Sequence, residues 1–270
     1  MALPTATHCS IRPDSLQAPN MHTGPLSSQS IVALAPAADA DAWPHSDVSH
    51  CDILAMATVH ALAQWSTAGP VVLWYHDTDR SLYAGDGDIS RTVGRLDALY
   101  PVSFQLNADT ALPLIIRQIK QALRTAQNNR HQQALAALFD QTTHWPCSAS
   151  RGAVLLCIRD GPLEYSFGSS RAKATVHSLT ETNRNEICAL GPWAMIITLC
   201  RKNNTVDLEL AHSPLLLTEA SISNLVNVLR DSLEAMVQCY MDTATSPMHL
   251  WVPADFAQVE LSLAEVDELD

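Results

Sequence analysis

The chain has 270 residues, of which 47% are hydrophobic and 16% are charged. This is the composition of a globular protein with a sizeable core rather than of a disordered chain. The 16 basic and 28 acidic residues give a formal net charge of −12, and no dense cluster of Lys or Arg occurs, so binding to nucleic acid or to an anionic membrane surface is not expected.

The seven cysteines are scattered along the chain, and none of them forms a Cys-x-x-Cys pair. This pattern indicates reduced thiols in a cytoplasmic protein, with neither a disulfide framework nor a metal site. The first residues lack a basic segment followed by an apolar run, so no secretory signal is expected. No stretch approaches the roughly 18 consecutive apolar residues of a membrane span.

The beginning of the chain differs in composition from the rest. Residues 1–30 are rich in Pro, Ser, Thr, Asn and His without any periodicity, which predicts a poorly ordered arm. A short apolar run over residues 30–35 predicts the first strand of the domain. We therefore expect residues 31–270 to form one folded unit, and we find no internal repeat in them.

The first strong helix signal follows a capping pattern. Ser49 lies three residues before Asp52, as in a capping box with Asp in place of Glu, and apolar residues then recur at helical spacing. Gly69 and Pro70 predict the end of this helix. The next five residues, Val71 to Tyr75, form a continuous β-favouring run that predicts a buried strand.

A loop rich in Gly and Asp separates this strand from the next one. Residues 102–106 alternate with period two and predict a strand. A helix from Leu112 to about Gln127 follows, with an apolar stripe on one face and with Lys120 and Arg124 pointing outward.

The second half of the chain is dominated by strands. Four short strands are predicted, over residues 153–158, 163–167, 193–200 and 206–211, and the last two read as a hairpin. A long amphipathic helix opens at Thr218 or Ser221. The order of the elements indicates an α+β fold in which helices pack on a mixed β-sheet.

The most informative stretch runs from Asp86 to Pro101 and includes an Arg-Thr-Val-Gly sequence and a later Tyr-Pro. It resembles the Leu-Ser-Arg-Thr-Val-Gly-Trp-Phe-Thr-x-x-Tyr-Pro block of condensation and epimerization domains in nonribosomal peptide synthetases. The matching residues are Arg91, Thr92, Val93, Gly94, Tyr100 and Pro101.

Other segments resemble the same family, in the same order along the chain. The helix beginning at Asp52 is similar to the Asp-x-Leu-Leu-x-Ala helix before the block, and residues 193–211 resemble the late hairpin. Val252 to Phe256, with Asp255, resembles the Thr-Pro-Ser-Asp-Phe close of these domains. The match is nearest to the epimerization type.

The resemblance implies an architecture and a set of partners. Domains of this family have two similar halves, each resembling chloramphenicol acetyltransferase, with the substrate tunnel between them. The matched block lies in the second half, so residues 31–270 are expected to be a chloramphenicol acetyltransferase-like C-terminal half domain. The implied partner is a carrier protein, the missing N-terminal half or a second copy of the chain. The resemblance implies no directly bound cofactor, because phosphopantetheine would be carried by the partner.

The chain departs from the family at the positions that carry the chemistry. The His-His-x-x-x-Asp-Gly motif is absent from the sequence. Where epimerization domains have Glu-Gly-His-Gly-Arg, this chain keeps Arg80 but has His76 in place of Glu and Thr78 in place of His. The Trp-Phe after the Arg-Thr-Val-Gly sequence is Arg95-Leu96. We therefore assign no catalytic residue.

Structural roles are expected for the matched residues. Arg91 would tie its loop to carboxylates or carbonyls, Gly94 would permit a turn or a close approach, and Tyr100 with Pro101 would end the loop and set the direction of the next strand. The full set of expected structural residues is Asp52, Arg80, Arg91, Thr92, Val93, Gly94, Tyr100, Pro101, Asp255 and Phe256.

Three functional hypotheses follow. The first is a catalytically incomplete condensation/epimerization-like half domain that docks on a synthetase or a carrier protein through an exposed apolar face. The second is a small acyltransferase with its site between subunits, using His76 or His212. The third is an inert fragment. His76 itself is either a general base at the end of a strand or a solvated histidine at a sheet edge.

Overall fold

The structure is a computed structural model that describes thirteen parts of the chain: residues 27–31, 48–66, 71–77, 98–106, 110–130, 153–160, 163–166, 173–176, 193–202, 205–244, 251–256, 262 and 265–266. The strands are β1 (Ser27–Ile31), β2 (Val71–Asp77), β3 (Ala98–Phe104), β4 (Ala153–Asp160), β5 (Leu163–Ser166), β6 (Lys173–Val176), β7 (Trp193–Lys202) and β8 (Thr205–His212). The helices are α1 (His50–Trp65), α2 (Leu112–Asn128) and α3 (Glu219–Ala244), and a 3₁₀ turn spans Pro253–Phe256.

Six of the strands form one mixed sheet in the order β1-β8-β7-β4-β2-β3. The central strands β7, β4 and β2 are parallel to one another, whereas β1, β8 and β3 pair antiparallel with their neighbours. Strands β5 and β6 form a separate antiparallel pair. The parallel centre explains why β4 and β7 are continuous apolar runs, since both of their faces are covered. The predicted α+β fold with a mixed sheet is confirmed.

The three helices pack on one face of the sheet and enclose the main core with it. The strand residues on this face are buried, among them Leu73, Leu156, Ile197 and Leu210. The opposite face carries a second, smaller buried cluster that includes Leu155, Cys157 and Trp193. Alternation of side chains along each strand separates these two sets, because successive residues point to opposite faces.

Strand β3 begins earlier than the sequence predicts. It starts at Ala98 rather than at residue 102, so Tyr100 and Pro101 lie inside the strand and pair with Tyr75 and Trp74. The expectation that they end a loop is wrong. Proline is compatible with β3 because it is the edge strand of the described sheet, where alternate N–H groups point away from the neighbouring strand and have no ladder partner.

The capping box predicted for α1 is confirmed. The Ser49 hydroxyl accepts from the Asp52 N–H at 3.1 Å, and the Asp52 carboxylate accepts from the Ser49 N–H at 2.8 Å. Two N–H groups that the first turn of a helix leaves without partners are thereby satisfied. Asp52 is also buried, which a cap at a surface would not require.

The prediction for α2 is correct for its apolar stripe and wrong for its cations. Ile115, Ile119 and Leu123 are buried as expected. The Lys120 side chain, however, is only 1% exposed, and that of Arg124 is 26% exposed. Both point inward because carboxylates of other segments face this side of the helix, so that charge pairing offsets the cost of burial.

The first strand lies partly inside the predicted arm. β1 begins at Ser27, and it pairs antiparallel with β8, with Ser30 opposite Glu209. The remainder of residues 1–30 lies outside the described residues, and so does most of the predicted strand over 30–35. None of the helices described is long and apolar enough to cross a membrane.

Truncating a central core residue should destabilise the fold. We expect Leu156→Ala in β4 to lower the free energy of unfolding by about 2–5 kcal/mol, since Leu156 is completely buried and its removal leaves a cavity. Urea denaturation followed by circular dichroism measures this change. The matched control is Leu215→Ala, which changes a side chain that is 59% exposed and should cost less than about 0.5 kcal/mol. Similar losses in the two variants would contradict the assigned core.

Candidate functional site

The end of β2 carries His76, which the sequence resemblance aligns with the acid–base Glu of epimerization domains. His76 lies on β2, between β3 and β4, and is only 5% exposed. It is therefore not a solvated histidine at a sheet edge. Trp74, two residues earlier, belongs to the cluster on the face away from the helices, and alternation places His76 on that face as well.

A row of polar residues crosses the sheet at the level of His76. In successive strands the register aligns His76 with Cys157, Cys157 with Thr198, and Thr198 with Glu209. Neighbouring strands lie about 4.8 Å apart, so the four residues follow one another at that spacing on a single face. His76, Cys157 and Thr198 are buried, whereas Glu209 is partly exposed.

An apolar row runs beside the polar one. Its members are aligned by the same pairings and are Trp74, Leu155, Ile196 and Ala211. Trp193 adds to it, and its ring meets that of Trp74 edge to face with 6.2 Å between centroids. Most members of the two rows are buried, so they form the second, smaller core of the sheet. Among the described residues no group of His, Cys, Asp or Glu is arranged to hold a metal ion.

On the helix face, the end of β2 is fixed by a buried tyrosine. The Tyr100 hydroxyl donates to Asp77 Oδ2 at 3.0 Å, and Gln127 Nε2 of α2 donates to the same oxygen at 3.4 Å. The rings of Tyr75 and Tyr100 pack at 5.7 Å between centroids. Burial raises the pKa of Tyr100 far above its usual value, and the neighbouring Asp77 carboxylate raises it further.

Two of the matched acidic residues meet at one arginine. Arg124 Nη2 lies 2.8 Å from Asp52 Oδ2 of α1, and Arg124 Nε lies 3.3 Å from Asp255 Oδ1 of the 3₁₀ turn. Lys120 Nζ adds an ion pair to Asp255 Oδ2 at 2.8 Å. The two cations of α2 thus balance two carboxylates that lie 203 residues apart in sequence (255 − 52).

The segment around Asp255 is bound along α2 by its main chain as well. The Trp251 carbonyl accepts from Arg117 at 3.1 Å, the Ala254 N–H donates to Gln121 at 3.0 Å, and the Ala254 carbonyl accepts from Asn128 at 3.0 Å. The ammonium of Lys120 lies 5.4 Å from the ring of Trp251, which packs against Phe256. These contacts cover three turns of α2.

The structure brings together four of the residues that the sequence singled out. Asp52, Asp255 and Phe256 lie around the segment held by α2, and Tyr100 is linked to it through Asp77 and Gln127. Pro101 lies apart, on the sheet edge. The other predicted structural residues fall outside the described part of the chain; these are Arg80, Arg91, Thr92, Val93 and Gly94.

The sequence analysis did not identify the residues of α2 that bind Asp52, Asp77 and Asp255. Lys120, Arg124 and Gln127 recur at positions i, i+4 and i+7 of α2 and therefore share one face. The spacing was visible, but a lone amphipathic helix predicts that its charged residues face water. The two acidic motif residues Asp52 and Asp255 were the signal that partner cations were needed.

The second candidate histidine, His212, lies on the other face of the sheet. It follows Leu210 by two residues on β8 and pairs with Met195, and both of these belong to the core beneath the helices. Its side chain is completely buried, with Nε2 3.5 Å from Glu219 Oε1 at the start of α3. His76 and His212 are therefore on opposite faces, and the structure does not combine them in one site.

The sequence was compared with protein families and with known proteins. No family model matches the chain. The chain is 22% identical to the nonribosomal peptide synthetase ecdA of Aspergillus rugulosus over 180 residues. This match covers 66% of the chain and 2% of the synthetase.

Solved structures give a wider match. The epimerization domain from the third module of tyrocidine synthetase B superimposes with a TM-score of 0.60 at 17% identity, over 88% of this chain and 53% of that one. The chain has the condensation and epimerization domain fold. Two further structures have the same fold. The X-domain from teicoplanin biosynthesis superimposes with a TM-score of 0.57 at 15% identity, over 88% of this chain and 52% of that one. The condensation domain of the Monacolin K polyketide synthase superimposes with a TM-score of 0.54 at 14% identity, over 90% of this chain and 54% of that one. The chain spans about half the length of each of these structures.

The buried Tyr100 predicts how stability depends on pH. Its pKa is raised in the folded state, so the unfolded chain releases the tyrosine proton first once the pH exceeds about 10. We expect stability to be unaffected by this group below that pH and to fall above it by up to about 1.4 kcal/mol per pH unit.

The pH effect is measured as the difference between two proteins. Urea denaturation of the wild type and of Tyr100→Phe between about pH 9 and pH 11 compares the slopes of stability against pH. The variant loses the hydrogen bond to Asp77 at every pH and should show the shallower decline. Equal slopes would show that Tyr100 ionises normally in the folded protein.

Replacing Arg124 should leave two carboxylates without their shared cation. We expect Arg124→Met to lower the free energy of unfolding by roughly 2–4 kcal/mol, because Asp52 and Asp255 are largely buried. Urea denaturation measures the loss. Arg230→Met on α3 is the control, since it removes the same charge outside this network. A loss no greater than that of the control would show that the network contributes little.

Proposed function

We propose that the chain is the C-terminal half of a condensation/epimerization-like domain in nonribosomal peptide biosynthesis, and that by itself it is catalytically incomplete. The observation that carries this proposal is the pattern of coverage. The structural matches take in 88–90% of this chain but only 52–54% of each neighbour, so a second portion of similar size has no counterpart in it.

The chemistry of epimerization supports the same conclusion. Racemising an aminoacyl thioester needs one group to remove the α-proton and another to return it, each within reach of that carbon. The His-His-x-x-x-Asp-Gly motif is absent from the sequence. His76 stands where the epimerization family has its acid–base Glu, but one buried imidazole cannot perform both roles from the same side of the carbon.

The proposed substrate is an aminoacyl or peptidyl group on the phosphopantetheine arm of a carrier protein. This substrate class comes from the fold shared with condensation and epimerization domains. Most residues of the polar and apolar rows are buried in this chain, so the rows are not themselves the proposed substrate surface. A second half, whether on another chain or on a further part of a longer polypeptide, would complete the site. The scattered cysteines suit a protein that works in the cytoplasm beside its synthetase.

The broad exposed apolar face that the sequence led us to expect is not seen among the described residues. Among the residues described, only Leu114 on α2 and Leu215 before α3 are large hydrophobic side chains that are exposed. These two lie on different elements and form no continuous patch on the described surface. We therefore propose a polar, reversible interface with the second half rather than an obligate apolar one.

An acyltransferase site between subunits has less support. Such a site needs a catalytic histidine at a subunit surface, and the two candidates, His76 and His212, are 5% and 0% exposed. If the chain alone transfers acyl groups, and if His76→Ala or His212→Ala abolishes the transfer, this second function replaces the first.

The proposal is tested by complementation. The purified chain is incubated with an L-aminoacyl thioester on a carrier protein, alone and with a separately expressed N-terminal half domain that carries His-His-x-x-x-Asp-Gly, and the chirality of the released amino acid is measured. We expect no D-isomer from the chain alone and a complex with the N-terminal half by size-exclusion chromatography with light scattering. Racemisation by the chain alone, or absence of binding to both the half domain and the carrier protein, would contradict the proposal.

A further inference from the structure

Residues Trp251–Phe256, which we call the strap, are held on α2 by charge and by hydrogen bonds. The Asp255 carboxylate accepts from Lys120, from Arg124 and from the Val252 N–H at 3.0 Å. Of the six strap residues Val252 is buried, the Asp255 side chain is 9% exposed, and the other four are partly exposed. The docked position therefore depends mainly on polar contacts, of which Asp255 makes the largest share.

A continuous series of hydrogen bonds leads from the strap to the end of β2. Arg124, which pairs with Asp255, donates from Nη1 to Gln127 Oε1 at 3.0 Å. Gln127 in turn donates from Nε2 to Asp77, the last residue of β2, and Asp77 also receives the Tyr100 hydroxyl. Arg124 donates to Asp255 and to Gln127, and Gln127 donates in turn to Asp77, so the position of each residue constrains the next.

Arg124 is the branch point of the series. Its guanidinium presents fixed donors in a plane, and it uses them for Asp52, Asp255 and Gln127. With the strap docked, the two carboxylates hold this plane in one orientation. With the strap released, Asp52 would be the one carboxylate of this network left to orient the guanidinium, which could then turn and shift its contact to Gln127.

We propose that the strap is a conformational latch for the end of β2. In its docked state Asp255 orients Arg124, Arg124 orients Gln127, and Gln127 with Tyr100 holds Asp77 beside His76. Release of the strap, by a partner that captures it or by tension on the chain that follows it, loosens the Asp77–Tyr100 pair. The strap has two states, docked and released, and the equilibrium between them determines how firmly the last residues of β2 are held. The latch does not depend on the proposed substrate.

The experiment is hydrogen–deuterium exchange of the whole chain, read by mass spectrometry. Asp255→Asn removes the charge that binds both cations and keeps the shape of the side chain. We expect about tenfold faster exchange in peptides covering the strap and also in those covering residues 71–77 and 98–104, because local opening becomes easier. Asp231→Asn, on the exposed side of α3, is the control and should leave both regions unchanged.

A second pair of variants separates coupling from general loosening. Gln127→Leu cuts the series between the strap and Asp77 while leaving both ion pairs of Asp255 in place. In that background Asp255→Asn should still release the strap but should no longer change exchange at residues 71–77. If Asp255→Asn alone does not fold, Gln121→Leu takes its place as a milder way to release the strap, because it removes only the hydrogen bond from Ala254. Faster exchange of the strap with no change at β2 in the Gln127 wild type would overturn the proposal.

Discussion

The arrangement of this protein depends on one guanidinium. Arg124 projects from α2 between the Asp52 carboxylate, which caps α1, and the Asp255 carboxylate of the 3₁₀ turn. It also donates a hydrogen bond to Gln127. Three segments that are far apart in sequence are thereby fixed to one helix. Burying two cations and two anions is tolerable only because each finds a partner, since an unpaired charge in this position would cost several kcal/mol. The geometry at the end of β2 then follows from the same helix.

The two faces of the sheet differ in composition. The face that packs against the helices is an apolar core, and the ion pairs of Lys120 and Arg124 lie along α2. These contacts hold the elements in place. The other face carries aligned polar and apolar rows that include His76. The fold is shared with condensation and epimerization domains of synthetases, and the chain spans about half the length of each.

Much of the fold was predictable because it rests on local patterns. The Ser49–Asp52 capping box, the apolar runs of β2, β4 and β7, and the stripe of α2 are written in neighbouring residues. The errors arose where a distant segment decides the outcome. Lys120 and Arg124 look like solvent-facing residues until Asp52 and Asp255 are placed against them, and Tyr100–Pro101 looks like a loop end until the edge position of β3 is known. The candidate site shows the same limit, because the row from His76 to Glu209 exists only through the register of four strands.

The proline on β3 bears on how copies of this chain behave toward one another. An uncovered edge strand offers its main-chain N–H and C=O groups to any other extended segment, and such edges are where proteins stack into aggregates. Pro101 interrupts that row of donors near the middle of the strand and stiffens it, so that a second chain cannot continue the ladder along its length. Pro101 therefore makes this edge of the described sheet a poor template for another extended segment.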